Sequence, residues 1–458
     1  MNMDMTKGNP TKLILLFALP LFASNLFQQF YNLADTAIVG HILGDQALSA
    51  VGSVSSIYAL MTSICFGMTN GFSILISKYF GAKDEKRQKQ AMAGTVLLSM
   101  VVAVVMTIVC CLLLKPFMAA LHTPEEIFQD AYTYIVIIVG AMVVMVFYNM
   151  LASILRAVGN SRTPLLFLVI SSFLNIVLDF LFIGICSFGI AGAAWATVLS
   201  QLVSGILCLF YMVKKCPELS LCKADFSLTA NMASELLSSG FAMSLMYAVV
   251  NVGTVILQSG INQLGTSTIA AHVAARKISE IYMMPCSTLS ATMTTFASQN
   301  YGAGKMHRVL EGVKKSHILG FGWSTIAITI TYLFANPIIA ALTGSGNVEI
   351  IATGANYLKI NLPFYYVLIV LCIMRSTLQG IGRKFWPVVA STLEMLGKLI
   401  VVVLFIEPLG YTAVCFCEPV TWIICCVPVC IAFFTHPGIQ KLRRTIEENQ
   451  ETAMQQNE

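Results

Sequence analysis

A dozen apolar stretches, each about as long as the roughly 20 residues needed to cross a bilayer as a helix, follow one another along this chain with only short polar breaks between them. They lie near residues 13–39, 50–77, 92–114, 128–153, 164–186, 190–213, 233–261, 270–297, 315–341, 351–379, 387–407 and 411–434. No aqueous fold buries so many long apolar runs, and in hydrocarbon a backbone must satisfy its own polar groups, so each run is expected to be a spanning α-helix. With 57% hydrophobic and only 11% charged residues, the composition excludes an ordinary soluble domain. The chain reads as an all-α integral membrane protein.

The polar start, MNMDMTKGNPTK, leads into a full-length span and not into a short apolar core with a small-residue cleavage site, so no removable signal peptide is expected. Lysine and arginine orient the spans. With the amino terminus in the cytoplasm, the inward connections KYFGAKDEKRQK, RAVGNSR, KKCPELSLCK, YGAGKMHRVLEGVKK, GRK and QKLRR carry most of the basic residues, while outer segments such as HTPEEIFQD and TGSGNVEI carry almost none. That asymmetry predicts twelve spans with both termini cytoplasmic. The 14 cysteines fall mostly within spans, as at Cys110, Cys111, Cys425, Cys426 and Cys430, and read as small apolar packing residues.

The chain also repeats itself. Leu43-Gly44 recurs 221 residues on as Leu264-Gly265, Ala50 as Ala271, Ser77 as Ser298, Gly81-Ala82 as Gly302-Ala303 and Pro116 as Pro337. Further along the offset becomes 223, bringing Gly159 onto Gly382 and Pro164 onto Pro387. A displacement kept over so long a stretch signals an internal duplication. Six spans per copy is an even number, so the copies enter the membrane in the same orientation, as parallel repeats. The expected organisation is a first lobe at 1–213, a cytoplasmic linker at 214–232, a second lobe at 233–434 and a polar cytoplasmic tail at 435–458.

Two acids stand inside the apolar runs of the first copy: Asp35 in FQQFYNLADTAIVG and Asp179 in SSFLNIVLDFLFIG. A charge at membrane depth costs about 2.5–3.5 kcal/mol on insertion scales, and such residues mark ion or substrate paths. Both spans run outward, and each acid precedes a glycine near the outer end by about a turn, so the two share a depth. Asn175 lies four residues before Asp179 and Gln28 seven before Asp35, each on the same helical face. Thr197, seven residues into the inward-running sixth span, comes to a comparable depth. Two carboxyls with amide and hydroxyl oxygens suit either a shared proton, which burial and mutual repulsion favour, or a sodium ion, a hard cation that takes oxygen ligands.

Neither acid recurs in the second copy, where Ile256 and Val402 stand at the aligned positions. That copy instead carries mixed charges: Arg276, Lys277 and Glu280 in span 8, Lys359 and Arg375 in span 10, and Glu394 and Lys398 in span 11. Glu394 and Lys398 are i,i+4 partners in the favourable order. Arg276, Glu280, Arg375 and Glu394 are the candidates to line a wet cavity that contacts substrate. Pro20, inside span 1, removes a backbone donor and permits a kink below Asp35.

The segments NLADTAIVGHILGDQALSAVG, YFGA after span 2, LRAVGNSRTP after span 4, and NIVLD followed by GIAGAAWATVLSQ resemble the multidrug and toxic compound extrusion (MATE) transporters, and among them the DinF-like bacterial branch. The likeness extends over essentially all twelve spans. It implies a V-shaped pair of six-helix lobes and a first-lobe cation site mapping onto Asp35, Asn175, Asp179 and Thr197, with Gln28, Tyr134 and Asn149 as polar neighbours. It further implies a functional monomer of a bacterial inner membrane, an antiporter that exports organic, amphipathic or cationic compounds in exchange for H+ or Na+, with no other cofactor. The second-lobe acids of the NorM-like branch are missing here, since span 7 reads FAMSLMYAVVNVGTVILQSG. The alternative within the same superfamily is a flippase or exporter of a lipid-linked or anionic metabolite.

Other classes fit less well. The histidines, among them His41, His122, His272 and His317, are scattered without HExxH or similar spacing, and no GxxxxGK[ST] phosphate loop occurs, so neither metal-dependent catalysis nor ATP hydrolysis is expected. No nucleic-acid partner is implied: the net charge of +5 belongs to the inner loops.

Overall fold

The computed structural model describes residues 3–120, 123–343 and 347–455; His122 lies outside them. Within these residues all regular structure is helical. The first half of the chain forms α1 (Pro10–Leu43), α2 (Asp45–Ala82), α3 (Glu85–Ala120), α4 (Glu125–Gly140), α5 (Met142–Ala157), α6 (Arg162–Asp179) and α7 (Ile190–Lys215). The second half forms α8 (Ala230–Ile261), α9 (Thr266–Gly302), α10 (Met306–Thr343), α11 (Val348–Asn361), α12 (Tyr365–Gly380), α13 (Phe385–Ile400), α14 (Ile406–Leu409), α15 (Tyr411–Phe434) and α16 (Pro437–Gln455). α1 passes through Pro20 as one helix, and Ser24 donates its hydroxyl to the Pro20 carbonyl at 2.9 Å.

The duplication is visible in the backbone. α1 meets α2 at Gly44 (φ +84°), and α8 meets α9 at Gly265 (φ +92°); this left-handed conformation suits glycine. α5 ends before Gly159 (φ +84°) as α12 ends before Gly382 (φ +83°). The fourth span bends by 48° between α4 and α5, and the tenth breaks at the corresponding place into α11 and α12 across a 3-10 turn at Leu362–Phe364. A widened π turn follows α6 at Phe180–Ile185, and another follows α13 at Val401–Phe405.

Ten helical segments are long and apolar enough to cross a membrane, and the bent α4–α5 pair makes eleven among the described residues. The remaining span expected from the sequence, at 270–297, is occupied by α9, which is 37 residues long. Its Arg276, Lys277 and Glu280, together with many small and hydroxyl-bearing residues, lower its apolar character. Lipid accounts for the large apolar side chains left on the outside, such as Val101, Val105, Ile108 and Leu112 of α3.

By packing, the chain divides into two compact units, one comprising Leu16–Leu245 with the residues up to Asp4, the other comprising Met5–Leu15 and the residues from Met246 on. The division therefore falls within α1 and α8. The polar connection 214–232 packs on the first unit, where Cys216 and Leu219 are buried in a core with Ile154, Leu155 and Leu236. The first half of α8 reaches α2 at close range because both helices carry small residues there, Gly67 and Gly71 on α2 and Ser239, Gly240 and Ser244 on α8. A Cβ on Gly71 would stand 2.5 Å from the Ser239 carbonyl oxygen, and one on Gly67 2.5 Å from the Ser244 Cα. Small residues four apart are the usual means by which membrane helices approach closely. A second core of the first unit gathers Ala50, Val54, Ile57, Ala131, Ile135 and Ala193.

Candidate functional site

Asp35 projects from α1 and Asp179 from the last position of α6, and their carboxyl groups come within hydrogen-bonding reach of one another. Asp179 and Asn175 are fully buried, and Thr197 nearly so. The spacing of four residues on α6 puts Asn175 beside Asp179. With its amide oriented to match donors with acceptors, Asn175 donates to Asp179 Oδ2 at 3.0 Å and accepts from the Thr197 backbone N–H at 3.2 Å. Thr197 Oγ1 in turn lies 3.5 Å from the Tyr31 hydroxyl. One oxygen of each acid, Asp35 Oδ1 and Asp179 Oδ1, is buried without a hydrogen-bond partner.

Such orphaned acceptors are rare in folded interiors, because each forfeits the hydrogen bonds it had in water. Two facing carboxyls add mutual repulsion. Both penalties are relieved by a single positive charge placed between them. The apolar wall that excludes water there comes from the Ala50–Ala193 core, to which Ile38, Val39, Tyr134 and Ile183 belong.

Three phenols close the surroundings of Asp35. Tyr31 and Tyr58 lie near it, as does the buried Tyr134 of α4. The Tyr58 hydroxyl approaches the side chain of Gln201 on α7. Tyr134 was expected on the resemblance; Tyr31, Tyr58 and Gln201 were not foreseen. Tyr31 lies four residues before Asp35 on the same face of α1, the spacing already used for Asn175, and could have been found that way. Gln28 lies exposed. Asn149 spends its amide on the Met145 carbonyl within α5, at 3.0 Å.

The second unit holds its charges differently. Arg276 on α9 donates from Nη1 to Glu418 Oε1 on α15 at 2.7 Å, and Tyr357 on α11 donates to Glu418 Oε2 at 3.0 Å. Glu280 stands 3.9 Å from Arg276 Nε and is 45% exposed. His272 Nδ1 lies 3.1 Å from the Tyr411 hydroxyl, and its ring packs edge-on against Tyr357. Beside α12, Glu394 is shared: Arg375 Nη2 reaches its Oε2 at 3.3 Å and Lys398 Nζ its Oε1 at 3.2 Å. The Glu394–Lys398 contact is the i,i+4 pair that the sequence suggests. Of the four residues nominated for a substrate cavity, Arg276, Arg375 and Glu394 are thus held in close ion pairs, and Glu280, at 3.9 Å from Arg276, is nearly half exposed. Glu418, in CFCEPVTW, escaped the sequence reading, although an acid in an apolar span is the very signal that singled out Asp35.

Among the described residues no three His, Cys, Asp or Glu side chains cluster as a metal site would require. A cavity of about 490 Å³ lined by Tyr301, Met306, Arg383 and His436 opens at the far end of α9 from Arg276 and holds none of the nominated residues.

The MatE family profile matches the sequence twice, over residues 20–181 and 242–404. The probable multidrug resistance protein YoeA of Bacillus subtilis is 27% identical over 389 residues, 83% of this chain and 84% of its own. The probable multidrug resistance protein NorM of Thermotoga maritima is 26% identical over 394 residues, 84% of this chain and 83% of its own. A crystal structure of MATE in the bent conformation superposes with a TM-score of 0.86 at 22% identity, covering 98% of both chains, and so shares the fold.

Proposed function

Since this chain belongs to the MatE family, whose members are multidrug transporters and not enzymes, we propose that it is a secondary antiporter that exports amphipathic organic compounds in exchange for H+ or Na+ entering at Asp35 and Asp179. The observation that carries this reading is the pair of facing carboxyls, each with a buried, unpartnered oxygen.

A proton shared by the two acids would cancel their repulsion. A sodium ion would find in Asp35, Asp179 and Thr197 Oγ1 the oxygen donors that a hard cation prefers. Asn175 positions Asp179, because its amide N–H holds one carboxylate oxygen, Oδ2, and leaves the other, Oδ1, unpartnered. Tyr31, Tyr58 and Tyr134 line the apolar wall and keep bulk water from screening the charges. The cation is taken up from outside, favours the state that releases substrate outward, and leaves to the cytoplasm to reset the cycle. Such coupling requires that the cation bind the two states with different affinity. Cytoplasmic termini, a bacterial inner membrane and a functional monomer complete the proposal, the first of these supported by the basic inner loops.

Reconstituted protein in proteoliposomes, given a panel of dyes under separate proton and sodium gradients, tests it. The gradient that drives dye movement names the coupling ion. Asp35→Asn and Asp179→Asn should each leave a folded protein that no longer couples; normal gradient-driven transport by both single variants would sink the site.

A further inference from the structure

The ion pairs of the second unit do not balance locally. Arg276 meets Glu418 and, more distantly, Glu280. Arg375 and Lys398, by contrast, divide the single carboxylate of Glu394, and among the described residues no other acid lies within ion-pair distance of either. These side chains are 12%, 3% and 9% exposed, so this trio by itself holds one more positive than negative charge inside membrane-spanning helices, while the Arg276 group, whose Glu418 also acts on Lys398, holds one more negative than positive. A buried charge of this kind persists where it serves an ion or a ligand.

The geometry shows which cation is open. Lys398 lays its stem across Gly253 of α8, where even a methyl group would come within 3.3 Å of its Cδ, and its ammonium is anchored one helical turn from its partner Glu394. Arg375 commits Nη2 to Glu394 at 3.3 Å, while its Nε is buried with no partner. A guanidinium offers its donors in a planar fork suited to two oxygens of one anion. One of those donors, Nε, is unused.

We propose that Arg375, backed by Lys398, binds the anionic group of the exported compound, a carboxylate, sulfonate or phosphate on an amphipathic body. The incoming anion takes the Arg375 fork, and Glu394 remains with Lys398, so each cation of the trio then has an anion of its own. The proposal rests on the export reading above for the direction of transport and extends it by assigning the charge of the substrate.

Fluorescein and rhodamine 6G share a xanthene ring but carry opposite charge, which makes them a matched pair of probes. Binding is followed by fluorescence anisotropy on the purified full-length protein, with no gradient present. Fluorescein should bind the unaltered protein, Arg375→Gln should weaken it at least tenfold while changing rhodamine 6G less than twofold, and Glu394→Gln, which frees both cations, should tighten it. Failure of the unaltered protein to bind fluorescein, or unchanged fluorescein affinity in both variants, overturns the assignment. If the Asp35 and Asp179 variants keep ordinary ion-driven export while fluorescein still depends on Arg375, the coupling site fails and the anion site stands.

Discussion

Replacing Glu418 with glutamine isolates one charge in the core of the second unit. The side chain keeps its size and an acceptor for the Tyr357 hydroxyl, but Arg276 loses the carboxylate that lies 2.7 Å away and is only 6% exposed. Glu280, at 3.9 Å and nearly half exposed, is a poor substitute. Removing one partner of a buried pair costs about 3–5 kcal/mol, because the remaining charge stays desolvated. Arg276 is itself 25% exposed, which puts the expectation at the lower end, about 3 kcal/mol. At about 2–4 °C per kcal/mol for a unit of some 200 residues, the melting temperature should fall by roughly 6–12 °C. Free cysteines such as Cys65, Cys208, Cys286, Cys415 and Cys425 are buried in the folded protein, so a thiol-reactive fluorophore reports unfolding directly in detergent. The double variant Arg276→Met with Glu418→Gln removes both charges and should recover most of the loss. A single variant that melts within about 1 °C of the parent, or a double variant less stable than the single, would refute the reasoning.

Other outcomes are equally specific. Asp179→Asn should leave the melting temperature near that of the parent while abolishing ion-driven dye export in proteoliposomes, since the neutral amide keeps the volume but cannot carry the charge that couples. Gly71→Val should lower stability by about 1–3 kcal/mol in the same thiol assay, because its Cβ would stand 2.5 Å from the Ser239 carbonyl oxygen; an unchanged melt would mean α2 and α8 are not held backbone to backbone. At His436, in the turn after α15, burial and then the Arg383 charge hold the imidazole below its ordinary range, and Gly438 N–H donates to its Nδ1 at 3.1 Å. The folded state therefore prefers the neutral ring, so this contribution is complete above about pH 6.5 and is lost as the pH falls towards the folded value. Between pH 7.5 and 5 the parent should lose more stability than His436→Gln; parallel melting curves would remove His436 from the account.

Much of the architecture is legible residue by residue. Long apolar runs separated by short polar loops identify a multi-pass helical protein, and recurring pairs such as Gly44 with Gly265 disclose the duplication because each must make the same left-handed turn. Asp35 and Asp179 stand out since a charge in an apolar helix is costly wherever that helix packs. Asn175 and the Glu394–Lys398 pair follow from helical spacing alone. Tyr31, Tyr58 and Gln201 did not stand out, because phenols and amides are common in such helices and their partners depend on how each helix is turned about its axis. Arg276 and Glu418 are 142 residues apart, and no local pattern links them. Nor did polarity alone reveal that 214–232 packs on the first unit, since its burial depends on Cys216 and Leu219 finding apolar neighbours.

The sequence by itself determined that this protein lives in a membrane, is built from helices, contains one unit twice, and carries intramembrane acids at Asp35 and Asp179 that have no counterpart at the aligned positions of the second copy. Each of these is a property of hydropathy, period or offset along the chain, and those survive any arrangement of the helices. Only the tertiary structure decided that Asp35 and Asp179 face one another with an oxygen each to spare, that Glu418 satisfies Arg276, and that Arg375 shares Glu394 with Lys398 and keeps a donor free. Those outcomes depend on the rotation and depth of helices far apart in sequence, which side-chain packing sets and which no single helix encodes.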